Sequence, residues 1–180
     1  MEPDRKRIAE RHFILQQGFA EPPPEECAVR HRSLVFQPRI VGLLVLAGAL
    51  LQSPAVFLTL GVVLWWSALR PRWNPFDAIH NATVGARPGA IRLPAAPSPR
   101  RFAQGMAGTF VLSIGALLLL EWRLAAYIAE LFMLAAVAAI VFGRFCLGSF
   151  IYYLVRGQAA FARRTLPWSR VQVEAKAPGS

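Results

Sequence analysis

Charge is scarce in this chain, and acid is scarcer still. Only 17% of the 180 residues are charged, ten Asp and Glu against twenty Lys and Arg, while 55% are apolar. Mean hydropathy is +0.40. That balance excludes a soluble globular enzyme and a disordered chain, and it indicates an integral membrane protein. Cysteine is nearly absent: Cys27 and Cys146 are the two thiols, too few for a disulfide-stapled secreted domain. The first 35 residues hold no apolar run long enough for a cleavable signal peptide. Histidine is rare and none sits at mid-membrane depth, which argues against haem or chlorophyll ligation by imidazole. Backbone and water ligands stay open, so the cofactor is unknown.

Metal spacing is missing too. Cys27 and His31 lie four apart, and Asp77 and His80 three apart; two ligands do not hold a metal. Asn74 or Asp77 reads better as the cap of a short helix. The net charge of +10 and a pI of about 11.2 would raise nucleic acid in a soluble protein. There is no Arg/Lys helix face, stacking ladder or zinc-finger spacing here, so nucleic acid is not an expected partner.

What is present is two long apolar blocks. Residues 40–69 carry no charge and are bracketed by Arg39 and Arg70. A single crossing needs roughly 20 apolar residues, so thirty are too many for one straight helix and somewhat short for two. Gln52-Ser53-Pro54 at the midpoint is a polar pair followed by a helix-starting proline. It predicts a hairpin of helices over 40–51 and 54–69, against one long helix kinked at Pro54. The second block, 102–154, is broken by Glu121-Trp122-Arg123. A third helix is expected over 103–120 and a fourth from Leu124 to about Gly143, where Arg144 surfaces. Residues 145–154 are then interfacial or outside the membrane.

The basic residues decide between the two readings of the first block. Seven Lys and Arg fall in residues 1–39, six in 70–101 and five in 156–180, and none in the Gln52-Ser53-Pro54 turn. Four crossings place all three basic segments on one side, which the positive-inside rule makes the cytoplasm. The fold class is therefore all-α: four transmembrane helices as two hairpins, with both termini cytoplasmic. A tail over residues 1–36 with a short basic helix at Arg5-Lys6-Arg7 precedes the membrane domain over 37–155, and a basic tail over 156–180 follows. The loop over 70–101 carries Pro71, Pro75, Pro88, Pro94, Pro97 and Pro99 and is expected to be extended and stiff rather than folded. Arg39, Arg70, Trp65, Trp66, Arg100, Arg101, Trp122 and Arg144 are the expected interface anchors.

Glu130 is the one clear intramembrane acid, expected to reach outward near Arg123 unless it contacts a proton or cation. Small residues at Gly105, Thr109 and Ser113, and at Ala135, Ala139 and Gly143, repeat every four positions. They predict close packing of the third helix on the fourth. Cys146 is the candidate thiol, beside Arg144.

Four short motifs carry a family resemblance. They are Gln37-Pro38-Arg39-Ile40-Val41, Asn74-Pro75-Phe76-Asp77, Pro99-Arg100-Arg101-Phe102-Ala103-Gln104-Gly105, and Phe145-Cys146-Leu147-Gly148-Ser149 with Tyr152. Across about residues 37–155 the chain resembles a bacterial integral-membrane family, the domain of unknown function DUF4395. Members often carry Cys-x-x-Cys in the last motif and accompany thioredoxin-like or sulfurtransferase proteins, which implies thiol or sulfur handling. This chain has Ser149 where the second cysteine would stand, so the resolving thiol of a local relay is missing.

These features make the expected function that of a non-enzymatic accessory subunit, embedded in the lipid bilayer and packed against a larger membrane complex. The alternative is a membrane thiol or sulfur-transfer component using Cys146, and, further off, a small transporter coupled through Glu130.

Overall fold

The computed structural model describes residues 2–169, with side chains described from residue 5. Among the described residues there are helices and no strands: α1 (Glu2–Gln16), α2 (Cys27–Leu34), α3 (Phe36–Leu51), α4 (Pro54–Leu69), α5 (Pro75–Ala82), α6 (Ser98–Leu119), α7 (Arg123–Val141), α8 (Leu147–Val155) and α9 (Ala159–Arg164), with one 3-10 turn at Pro71–Trp73. Three helical stretches are long and apolar enough to cross a membrane: Cys27–Leu51, Ser98–Leu119 and Arg123–Val141. α4 is apolar but shorter. By length and composition these helices suit a membrane protein.

Local chemistry sets the boundaries. Pro38 has no N–H to return to the Leu34 carbonyl, so α2 passes into α3 with a break at Val35. α3 ends where Gln52 adopts a left-handed φ of 47° and Ser53 N donates back to Gly48 O at 3.1 Å. Pro54 then starts α4 as its first residue. α6 begins at Ser98, five residues ahead of the start expected at 103, because the proline at its second position needs no N–H partner in a first turn. Arg100 and Arg101 therefore lie inside the helix. α7 stops at Val141, and Arg144 at φ 53° turns the chain into α8.

α3, α4, α6 and α7 share one apolar core that includes Val45, Phe57, Leu64, Val111, Ile114 and Met133. Its tightest seam joins α4 to α6. A Cβ at Gly61 would stand 2.5 Å from Leu112 Cγ, and one at Gly108 would stand 3.1 Å from the Gly61 carbonyl oxygen and 2.9 Å from Trp65 Cδ1. These helices approach closely because both lack a side chain there. The small-residue stripes do not join α6 to α7 as expected. Gly105 faces Trp65 and Ala68 of α4, and Thr109, Ser113, Ala135 and Gly143 are exposed, with Ala139 half-buried. α7 turns Ala126, Glu130, Met133 and Val137 inward instead, a face set by the larger apolar residues at spacings of three and four.

A second core lies beside the first. Phe13 and Ile14 of α1, Cys27 and Leu34 of α2, Leu93 of the middle loop and Cys146 pack together. Residues 1–36 are thus more than a tail with a short basic helix where they are described: α1 buries His12, Phe13, Ile14 and Gln16 completely or nearly so, and α2 buries Cys27 and Leu34. Nor is the middle loop merely extended. α5 folds within it, and Asn81 clamps the proline-rich stretch by donating to Leu93 O at 2.9 Å and accepting from Leu93 N at 2.8 Å. Of the basic tail over 156–180, residues 170–180 lie outside the described residues. Its first part carries α9, and Leu166 O sits 3.1 Å from His12 Nδ1.

Candidate functional site

One end of the bundle holds a knot of buried polar side chains. Asn74 caps α5, its Oδ1 accepting from Phe76 N at 3.1 Å, with Ser67 Oγ of α4 also 3.1 Å away. Its Nδ2 donates to Asp77 Oδ2 at 2.8 Å. Asp77 Oδ1 accepts from Arg100 Nη2 at 2.9 Å, an ion pair with both side chains under a tenth exposed. The same Nη2 donates to Gln37 Oε1 at 3.1 Å, and Gln104 Nε2 donates to that oxygen at 2.8 Å. α3, α4, α5 and α6 are thereby tied at one end. Burial pushes the Asp77 carboxyl above the ordinary carboxylate range, while the Arg100 guanidinium and the Asn74 amide pull it back down. Both Asp77 oxygens are spent, so the Asp77/His80 spacing supplies no metal ligand pair. Among the described residues no three His, Cys, Asp or Glu converge as a metal site.

Arg100, expected as an interface anchor, is 4% exposed and belongs to this knot. The reason is phase: Arg100 and Gln104 are four apart on the helix face that meets α3 and α5. Arg101 is half-buried and donates from Nε to Ala68 O at 2.8 Å. Arg39, Arg70, Trp65, Trp66 and Trp122 are exposed, and Trp66 donates to Trp73 O at 3.1 Å. Arg144 is half-buried, its Nε 3.9 Å from Glu10 of α1.

The knot forms the polar end of a partly open cavity of about 360 Å³ lined by α3, α4, α6, α7 and α8, with Phe13 of α1 and Leu34 of α2. Gln17, Gln37, Arg100 and Gln104 line that end, while Val41, Leu64, Phe110, Phe132, Met133 and Val137 make apolar walls. Cys146 and Gly148 also line it. Gly148 is required there, since a Cβ would lie 2.8 Å from the Ala103 backbone of α6.

Cys146 is buried, a free thiol whose backbone N–H donates to Gln16 Oε1 at 2.9 Å. Ser149, one turn on, accepts from Gln17 Nε2 at 3.2 Å and donates to Pro99 O at 3.4 Å. A hydroxyl at this position bridges α1, α6 and α8, a role that a thiol fills poorly. Glu130 does not reach out toward Arg123. It is 4% exposed and accepts from Gln52 Nε2 at 3.2 and 3.3 Å, at the opposite end of α3 from Gln37.

The sequence had offered Gln37, Asn74, Asp77, Arg100 and Gln104 only as separate motif residues. The signal that joins them is amides at Gln37, at the start of α3, and Gln104, in the second turn of α6, beside an arginine that must be neutralised. A profile of the family described as Domain of unknown function (DUF4395) matches residues 29–156. No curated protein and no solved structure matches the chain.

Proposed function

We propose that this chain, which belongs to the DUF4395 family, is a four-crossing protein of the bacterial inner membrane that acts as a non-enzymatic accessory subunit of a larger complex. In this reading α3 with α4 and α6 with α7 form the two hairpins, and the termini and the 70–101 loop face the cytoplasm. The distribution of basic residues supports that orientation. The hydrogen bond that Asn74 Nδ2 donates to Gln37 Oε1 at 3.5 Å and the contact of Asn74 with Ser67 support the first hairpin, because they bring the start of α3 and the end of α4 together. α4 has sixteen residues, a rise of about 24 Å. Local thinning of the bilayer accommodates such a short crossing.

The observation that carries the reading is the knot itself. Buried Asp77 and Arg100 neutralise each other within one chain, and three amides close around them. Most of the buried polarity there is spent on fixing helices to one another. The outward side of α7, with Leu124, Ile128 and Leu131 well exposed, is then available to lipid or a neighbouring subunit. Extraction of native membranes in mild detergent, with native-gel sizing and mass spectrometry of co-migrating chains, tests this. A stoichiometric assembly is expected; migration at monomer or dimer mass alone overturns it.

One observation favours the thiol reading as second: Cys146 lines the cavity. If the thiol works there, membrane-permeant maleimide reacts with it in intact membranes and Cys146→Ala impairs growth on sulfur sources. An inert Cys146 and a harmless substitution end that reading.

A further inference from the structure

The cavity beside the knot keeps two polar atoms that the chain does not satisfy. Arg100 Nη1 and Gln104 Oε1 are buried without a hydrogen-bond partner, and both residues line the cavity. The Arg100 guanidinium carbon lies over the Phe19 ring, 5.8 Å from its centroid, a contact that does not satisfy the Nη1 donor.

The identities of these atoms follow from the network. Arginine only donates, so the Gln37 atom 3.1 Å from Arg100 Nη2 must be the carbonyl oxygen. Gln104 must then present its Nε2 to that same oxygen, as it does at 2.8 Å. The Gln104 carbonyl oxygen is left over as an acceptor, and Arg100 Nη1 as a donor, on two side chains that share the Gln37 oxygen. A buried donor and a buried acceptor each destabilise the fold when unmet.

We infer that the cavity binds a neutral, hydroxyl-bearing amphiphile from the lipid phase. Its hydroxyl oxygen accepts from Arg100 Nη1, and its O–H donates to Gln104 Oε1. An ionised head is disfavoured because Asp77 already neutralises Arg100 at 2.9 Å, and a further anion would be a buried charge without compensation. One water could bridge the two atoms, but the rest of the cavity is walled by apolar side chains that offer water no partners. The volume of about 360 Å³ falls within the usual range of ligand sites. Phe110, Phe132, Met106 and Met133 on the walls offer aromatic and thioether surface suited to a ring or a flexible chain. The hydroxyl is the shared chemistry, and its source is either a quinol-type phenol or a long-chain alcohol. The site belongs to the chain itself and stands whether or not the protein docks on a complex.

The test uses the full chain in nanodiscs, with binding and thermal unfolding measured against decylhydroquinone kept reduced, its dimethyl ether, decanol and decanoate. At least one hydroxyl ligand should bind and raise the unfolding temperature. Decylhydroquinone alone identifies the phenol source; decanol alone identifies the aliphatic one. The ether and ionised decanoate should bind about tenfold more weakly or worse. Ala136→Phe, which fills the cavity from α7, should abolish binding. Gln104→Met, which removes the acceptor at similar length, should lower hydroxyl affinity to that of the ether, with helicity by circular dichroism showing that both variants fold. Equal affinity for ether and hydroquinone overturns the inference. So does full binding by folded Ala136→Phe, or failure of every hydroxyl ligand to bind.

Discussion

The two ends of the helical bundle bury polar groups in different ways. At the Asn74 end, a full ion pair is enclosed by three amides, and each group of the pair has more than one partner. At the Gln52 end, one carboxylate, Glu130, meets one amide, Gln52 Nε2, at 3.2 and 3.3 Å. The first arrangement removes two charges from water and depends on both being present. The second leaves a lone contact near a turn, where Gln52 itself is half-buried. Buried charge is therefore a structural commitment at one end and a minor tether at the other.

Removing one charge from the first end should give the largest effect. Asp77→Leu leaves Arg100 buried without its counter-ion, and breaking a buried pair in this way costs about 3–5 kcal/mol. Unfolding of the full chain in mixed micelles by a denaturing detergent reads the loss. Asp77→Leu combined with Arg100→Met should recover most of it, because replacing both charges by apolar groups is often neutral. A single variant no weaker than a Glu130 substitution would erase the difference between the ends.

A smaller effect sharpens the seam between them. Gly108→Ala places a Cβ 2.9 Å from Trp65 Cδ1, 3.1 Å from the Gly61 oxygen and 3.2 Å from Leu64 Cβ; such overpacking costs about 1–3 kcal/mol. Gly105→Ala meets ordinary contacts at 3.7 Å and beyond, and gains up to about 1 kcal/mol of helix propensity. The same unfolding assay should show opposite signs. Two equal losses would mean that α6 packs through the Gly105, Thr109, Ser113 stripe after all.

Much of the helical layout was legible because hydropathy and punctuation are local signals. Pro54, Glu121-Trp122-Arg123 and Arg144 each mark a turn that the structure places there. The knot was not legible as a unit, since Gln37, Asp77 and Arg100 are far apart in sequence and no periodic pattern joins them. Arg100 was mistaken for an interface residue because a basic residue at the edge of an apolar block usually snorkels outward. Here it is turned inward by the phase of α6 and held by Asp77. The small-residue stripes misled for a related reason: a four-residue repeat of Gly, Ala, Ser or Thr names a smooth face but not its partner. Burial of α1 and α2 is hidden by their charge: Arg5, Lys6, Arg7 and Arg32 are exposed, while the same helices bury Phe13, Ile14, Leu34 and even Glu10.

The smallest effect tests the weaker end. Gln52 adopts a left-handed backbone at φ 47°, a conformation that costs a side-chain-bearing residue about 1–2 kcal/mol. Gln52→Gly removes that strain but loses the bonds of Nε2 to Ala49 O at 2.7 Å and to Glu130. Polar side-chain contacts of this kind in a bilayer average about 0.6 kcal/mol, and glycine also gains freedom in the unfolded chain, at about 0.4–1 kcal/mol. These terms nearly cancel, so Gln52→Gly should change stability by less than about 1 kcal/mol. Gln52→Ala keeps the strain and loses the bonds, so it should be the weaker of the two variants. If alanine instead matches glycine, the left-handed turn carries no strain there. If both fall as far as Asp77→Leu, the lone Glu130 contact fixes the fold as firmly as the knot does.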